Sequence, residues 1–160
     1  MNREQFARQA EVSQRALRRF LVALCCGDAA LADDIAQEAF IKAYMSLDSL
    51  ADDSRFDAWL RRIAYNTFVN MRRSATPPGA AYSEAGHISP PESADSSFHY
   101  EALYQALDRI PDKERTSILL FYIDGYSTKE ISRIIDSSEE AVRQHLTRGR
   151  KHLHSLLQSR

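Results

Sequence analysis

Apolar residues recur at intervals of three and four toward both ends of the chain, and nowhere do they alternate with polar ones over a sustained run. That spacing predicts helices and no strands. Leu17, Phe20, Leu21 and Leu24 form one stripe, which Gly27 and Asp28 end. Leu31, Ile35, Ala39, Ala43 and Leu47 form a second. Ser54, with Asp57 three residues on, is placed to cap a third helix whose inward positions are Phe56, Leu60, Ile63 and Met71. In the second half a helix is expected over 98–110, and Pro111 opens another that ends near Gly125. Ser127-x-x-Glu130 reads as a capping box opening a short helix to Ile135. Ser137-x-x-Glu140 reads as another, opening a longer helix to about Leu157. The expectation is an all-α fold of seven helices.

The pattern breaks in the middle. Residues 74–99 hold four of the five prolines (Pro77, Pro78, Pro90, Pro91), six serines, three acids and no Lys or Arg. Paired prolines forbid helix and lack donors for a sheet. A stretch of this length is too long for a tight connection inside one domain. Two small helical domains, 1–73 and 100–160, joined by a flexible acidic linker over 74–99, are therefore expected. Each is near or below the ~70–80 residues at which one core supplies only a few kcal/mol, so each should lean on a partner. The net charge of −1 hides this division. The two ends are each at +1, the middle is at −3, and the last eighteen residues have five bases, three His and no acid.

Composition excludes several classes. A hydrophobic fraction of 44% and a charged fraction of 27% are those of a globular chain. The longest apolar run, residues 20–26, is far short of the ~20 that span a membrane. The first residues have no apolar core or small-residue cleavage site, so no export signal is read, and adjacent Cys25 and Cys26 suit a reducing compartment. A cytoplasmic protein without membrane insertion is expected. No Gly-rich phosphate loop, Cys-x-x-Cys or nucleophile elbow occurs, and no two His stand at i and i+4 on a helix. The expectation is a non-enzyme with no metal, cofactor or small-molecule substrate.

Three helix faces carry candidate chemistry. A short helix, a turn at Asp136-Ser137-Ser138 and a longer basic helix make a helix-turn-helix pattern. Ile131, Ile134 and Ile135 should pack on Val142, Leu146 and Leu153, leaving Arg143, Gln144, Thr147, Arg148 and Lys151 outward. Arg and Gln can pair bidentately with guanine and adenine in the major groove. A merely solvated basic face is the alternative, and the paired capping boxes weigh against it. On the third helix Arg62, Tyr65, Asn66, Val69, Asn70 and Arg73 share a side. That mixture suits unstacked bases and phosphates, and equally an ordinary exposed face with a snorkelling tyrosine. On the second helix Asp34, Gln37, Glu38 and Ile41 share an acidic side, a poor DNA surface that is either a protein-docking face or simply solvated.

Three segments in register resemble one family. Asp34-Ile-Ala-Gln-Glu-Ala-Phe-Ile-Lys-Ala-Tyr44 resembles the polymerase-binding helix of the extracytoplasmic-function sigma factors. Phe56-Asp-Ala-Trp-Leu-Arg-Arg-Ile-Ala-Tyr-Asn66, with Arg72-Arg73 after it, resembles their promoter-melting helix. Gly125-Tyr-Ser-Thr-Lys-Glu-Ile131 through Val142-Arg-x-x-Leu-x-Arg-x-Arg150 resembles their C-terminal helix-turn-helix. The resemblance implies that Asp34, Gln37, Glu38 and Ile41 dock on the clamp coiled coil of core RNA polymerase. It implies that the loop 50–55, with Arg62, Tyr65, Asn66, Arg72 and Arg73, captures a flipped base of the minus-ten element. It further implies that Arg143, Gln144, His145, Arg148 and Lys151 engage the minus-thirty-five element of promoter DNA, and that an anti-sigma factor holds the protein in check. Trp59 matches a family position, yet its spacing favours packing. The acidic linker would run through basic channels of the polymerase.

This chain departs from the family pattern in the last turn. Asp136 stands where Gly is common, Glu140 and Ala141 stand where Gly-Thr is common, and His145 replaces a usual arginine. Asp adopts a left-handed turn less easily than Gly, at modest cost. Glu140 is expected to restore the cap through Ser137. Two rivals remain open at this point: a dimeric helix-turn-helix repressor, which binds duplex DNA alone, and a helical adaptor with no DNA role.

Overall fold

The computed structural model describes residues 1–75 and 94–158. Seven α-helices and no strand occur among them: α1 (Arg3–Leu24), α2 (Ala29–Met45), α3 (Phe56–Ala75), α4 (Ala94–Asp108), α5 (Asp112–Ile118), α6 (Thr128–Ile134) and α7 (Glu139–Gln158). Two 3₁₀ turns, Leu47–Ser49 and Asp53–Arg55, join α2 to α3. A π-helical turn, Leu119–Ile123, prolongs α5. The linker expected over 74–99 lies mostly outside the described residues. Its last six residues belong to α4, which starts four residues before the expected 98. All four middle prolines precede Ala94, so no helix breaker opposes that start.

Local chemistry accounts for the helix ends. Asn2 and Gln5 form a reciprocal capping box at α1, each side chain accepting from the other's backbone N–H at 2.8 Å. Cys26 (φ 54°) and Gly27 (φ 93°) turn left-handed, and the Gly27 N–H closes the helix on Val22 O at 2.8 Å. Asp28 then caps α2 through Leu31 N. Ser54 does not cap α3: its N–H and hydroxyl both bond Asp52, which opens the preceding 3₁₀ turn. Ser127 and Glu130 make the expected box on α6. The second expected box is shifted by one residue. Ser138 accepts from Ala141 N at 3.1 Å, while the Ser137 hydroxyl turns back to Ile135 O. Asp136 takes the left-handed turn (φ 53°) and Ser137 N–H reaches Ser132 O, which moves the cap forward.

In the first half Leu17, Phe20, Leu21 and Leu24 of α1 meet Ile35, Ala39 and Ala43 of α2 and Phe56, Leu60, Ala64 and Phe68 of α3, all buried. The three alanines of α2 let its backbone come close. In the second half α4, the corner after it and the π-helical turn bury Leu107, Ile110, Leu119 and Leu120, and the helix-turn-helix buries Ile131, Ile134, Ile135, Val142 and Leu146. Gly149 sits where α7 crosses α5; a Cβ there would come 2.4 Å from Ile118 Cδ1. His152 Nδ1 lies 2.7 Å from Glu114 Oε1, and Arg150 donates to Tyr122 Oη at 2.8 Å, tying α7 down at two further points.

The halves do lean on a partner, and the partner is each other. Their buried apolar residues form one continuous cluster. Arg115 is 2% exposed and donates to Leu107 O (2.7 Å), Leu24 O (2.8 Å) and Ile110 O (3.4 Å), so one guanidinium spans the end of α1 and the α4–α5 corner. Arg61 of α3 pairs with Asp124 at 3.1 Å, both side chains buried, between the rings of Phe20 and Tyr126. Arg72 pairs with Asp112, and Arg62 donates to Arg133 O at 2.9 Å.

Replacing Arg115 by Ala leaves three carbonyls without their donor. The expected cost is about 3–5 kcal/mol, a fall of roughly 10 °C in Tm by circular dichroism. An unchanged Tm would show that the carbonyls are satisfied without it. The cysteines give a second expectation. Burial, reinforced by Asp28 for Cys25, pushes the Cys25 thiol up to about 12 and the Cys26 thiol up to about 11. Both are thiols at neutral pH. At pH 8 iodoacetamide should label the folded protein at least about a hundredfold more slowly than a free cysteine of pKa ~8.5, and denaturant should abolish the difference.

Candidate functional site

The acidic side of α2 is open. Asp34 and Gln37 are exposed, and Ile41 is 53% exposed despite being aliphatic. Glu38 is half-exposed and pairs with Lys42 at 3.0 Å, one turn along the helix. Tyr44 and Met45, which sequence reasoning passed over, continue the strip; Met45 is 80% exposed. Their signal was the i+3 and i+4 spacing from Ile41. Phe6 holds the Tyr44 ring edge-on at 5.6 Å, and the Arg3 guanidinium lies 5.8 Å from its centroid. The strip is polar at one end and apolar at the other, which suits another protein better than DNA.

On α3 the expected outward face is divided. Asn66, Asn70 and Arg73 are exposed and Val69 is half-buried. Tyr65 is not on this face: it is 5% exposed, in the stripe of Leu60, Arg61, Ala64 and Phe68. The residue lies about 100° around the helix from Asn66, toward the core. Burial and then the charge of Asp112 raise its phenol above the ordinary value. Arg62 and Arg72 are already engaged, one by the end of α6 and one by α5. The loop 50–55 is exposed except for half-buried Leu50, and Trp59 is half-buried with its ring tilted on Phe56 at 5.9 Å, the packing role its spacing favoured. Arg61 was not singled out in the sequence, because an arginine beside arginine in a helix gives no sign of which one is buried.

On α7 the residues Glu140, Arg143, Gln144, Thr147, Arg148 and Lys151 line one shallow concave strip. Arg143 is steadied by Glu139 at 3.2 Å, one turn back. His145 does not join the strip. It is half-buried, and burial, then the charge of Lys113, lower its pKa, so at neutral pH it supplies no fixed positive charge. The helix-turn-helix packing is as the spacing required: Ile131, Ile134 and Ile135 against Val142 and Leu146, with Leu153 half-buried beside them.

Among the described residues no three of His, Cys, Asp and Glu stand close enough to hold a metal ion. No helix among them is long and apolar enough to cross a membrane. The chain thus has three outward faces of different chemistry on one helical scaffold.

Two family models match the chain. Residues 10–77 match the family model "Sigma-70 region 2", and residues 100–153 match "Sigma-70, region 4". The chain is 35% identical to the RNA polymerase sigma-H factor of Pseudomonas aeruginosa, over 82% of this chain and 75% of that protein. It is 34% identical to the ECF RNA polymerase sigma factor SigW of Bacillus subtilis (79% and 75% covered), and 35% identical to the ECF RNA polymerase sigma-E factor of Escherichia coli (78% and 73%). Its fold is similar to the sigma factor RpoE of Bartonella quintana, solved in complex with the anti-sigma factor NepR. The TM-score is 0.83 at 24% identity, over 97% of this chain and 98% of that one. CnrH, solved in complex with the cytosolic domain of CnrY, is similar with a TM-score of 0.73 at 24% identity, over 99% and 90%. With both sigma-70 regions in order and relatives at this identity over most of its length, the chain belongs to the extracytoplasmic-function sigma factors.

Proposed function

We propose that this sigma factor binds core RNA polymerase through α2, opens and reads the minus-ten element through α3, and reads the minus-thirty-five element through α7. The observation that supports the reading is the exposure of Gln37, Asn66 and Gln144 on three separate helix faces, while Ile35, Tyr65 and Leu146 of the same helices are buried. Each is an amide, and an amide can offer a donor and an acceptor to a single partner. Family membership sets aside the dimeric repressor and the adaptor. The protein acts by binding and positioning, its site of action is the cytoplasm where polymerase and DNA are, and an anti-sigma factor is its regulator.

Residues 1–73 belong to the polymerase-binding and minus-ten unit, and residues 100–160, with the first six residues of α4 before them, to the minus-thirty-five unit; the chain between α3 and α4 passes through the polymerase. In the docked arrangement Arg62 and Arg72 are occupied by α6 and α5. On DNA these guanidiniums exchange a carbonyl and a carboxylate for phosphates, a substitution of like for like in hydrogen bonding. Asn66 needs no such exchange, because it is already exposed. Tyr65 contributes by holding the helix in the core.

Replacing Asn66 by Ala should block strand opening and leave polymerase binding intact. Permanganate footprinting on a promoter transcribed by the wild-type holoenzyme reads this directly; normal opening by the variant would remove Asn66 from the mechanism. Replacing Gln37 and Glu38 together by Ala should weaken core polymerase binding at least about tenfold. Stability should change by less than about 0.5 kcal/mol, because only an exposed helix pair is lost. A large fall in Tm with unchanged polymerase affinity would make the α2 face structural.

A further inference from the structure

We propose that Glu140 is a base-reading residue that selects cytosine at one position of the minus-thirty-five element. The inference rests on the α7 reading above and adds a residue and a base to it. In the sequence Glu140 looks like half of a capping box, but the structure gives that work to Ser138, whose hydroxyl accepts from Ala141 N. Ser137 bonds the carbonyl of Ile135 instead. Of the two acids in the first turn of α7, Glu139 holds Arg143 at 3.2 Å. Glu140 is exposed and has no hydrogen bond or ion pair to any described residue. It is the acid in a strip otherwise lined by Arg143, Gln144, Thr147, Arg148 and Lys151.

A carboxylate in that place opposes binding to DNA in general. It repels phosphate, and its negative charge offsets one of the neighbouring bases. It gains only from a donor, and the major groove presents amino donors at cytosine N4 and adenine N6. Glutamate suits the first, because cytosine's own ring places only the C5–H beside its amino group. The ring N7 of adenine is an acceptor and disfavours it. Position favours base contact too, since residues at the N-terminus of a recognition helix reach base edges and later ones meet phosphates. Glu140 is the second residue of α7. Gln144 lies one turn on along the same face, placed for the neighbouring base pair. The favourable meeting of an acid with the helix dipole does not by itself explain Glu140, because Glu139 already supplies it at the same end.

The test is transcription by reconstituted holoenzyme from a library of promoters carrying every single-base change in the minus-thirty-five element. Wild-type protein is compared with Glu140→Ala, Glu140→Gln and Arg148→Ala, each with its melting temperature measured. The wild type should prefer cytosine at one position by roughly ten- to a hundredfold. Glu140→Ala should flatten that position alone, with activity on the other three bases rising. Glu140→Gln should move the preference there toward adenine, while Arg148→Ala should weaken all promoters together. Unchanged preferences in both Glu140 variants, with a uniform loss in Arg148→Ala, overturn the proposal and leave the α7 reading standing. A lower melting temperature with unchanged preferences reduces Glu140 to a helix-end charge and overturns it as well. If Arg148→Ala is also without effect, the α7 reading falls with it.

Discussion

A guanidinium withdrawn from water costs several kcal/mol unless its N–H groups find acceptors, and Arg115 meets that demand with three backbone carbonyls. Two of those carbonyls belong to the α4–α5 corner, at Leu107 and Ile110. The third, Leu24 O, is at the end of α1 in the other half of the molecule. A side chain so placed cannot be satisfied by either half alone. Arg61 imposes the same condition in the opposite direction: it rises from α3 and meets Asp124 beyond α5, with both charges buried. Each half carries a buried arginine with a partner in the other, and the apolar cluster is continuous across the junction they span.

Three exposed faces are arranged around this junction. The α2 strip and the α7 strip are exposed and are built from residues with few internal obligations. The face of α3 is divided between the two demands. Arg62 and Arg72 serve the junction, while Asn66, Asn70 and Arg73 remain free to solvent. On the proposed reading, helix packing and DNA binding draw on the same guanidiniums of α3, whereas the exposed residues of α2 and α7 serve binding alone.

Much of this was legible in the residues themselves. Helix number, the core stripes and the helix-turn-helix packing follow from spacing, because one face of each helix is strongly apolar. Cap positions were less legible. Ser54 and Ser137 have the right neighbours for caps, but Asp52 and Ser138 make the better geometry one or two residues away, and spacing alone does not rank adjacent hydroxyls. Tyr65 shares the spacing of the outward residues and His145 enters only through the family resemblance, yet Tyr65 lies about 100° around the helix from Asn66, in the core, and His145 is half-buried. Arg61 and Arg115 were not visible at all. Burial of a charge depends on acceptors tens of residues away, such as Asp124 and Leu24, and no local pattern encodes them.

The widened turn at Leu119–Ile123 sets the phase of everything that follows it. An α-helix advances about 100° per residue, and a π turn takes up one extra residue without adding that rotation, so the residues after it sit one step back in phase. Asp124 comes directly after it, and Tyr126 two residues later. Rewinding the turn as regular α-helix, with every residue kept, would swing Asp124 away from Arg61 by nearly that angle. It would also shift α6 and α7 relative to α3. The winding of one turn, with no change in length, hydrophobicity or charge, therefore decides whether the two halves can latch.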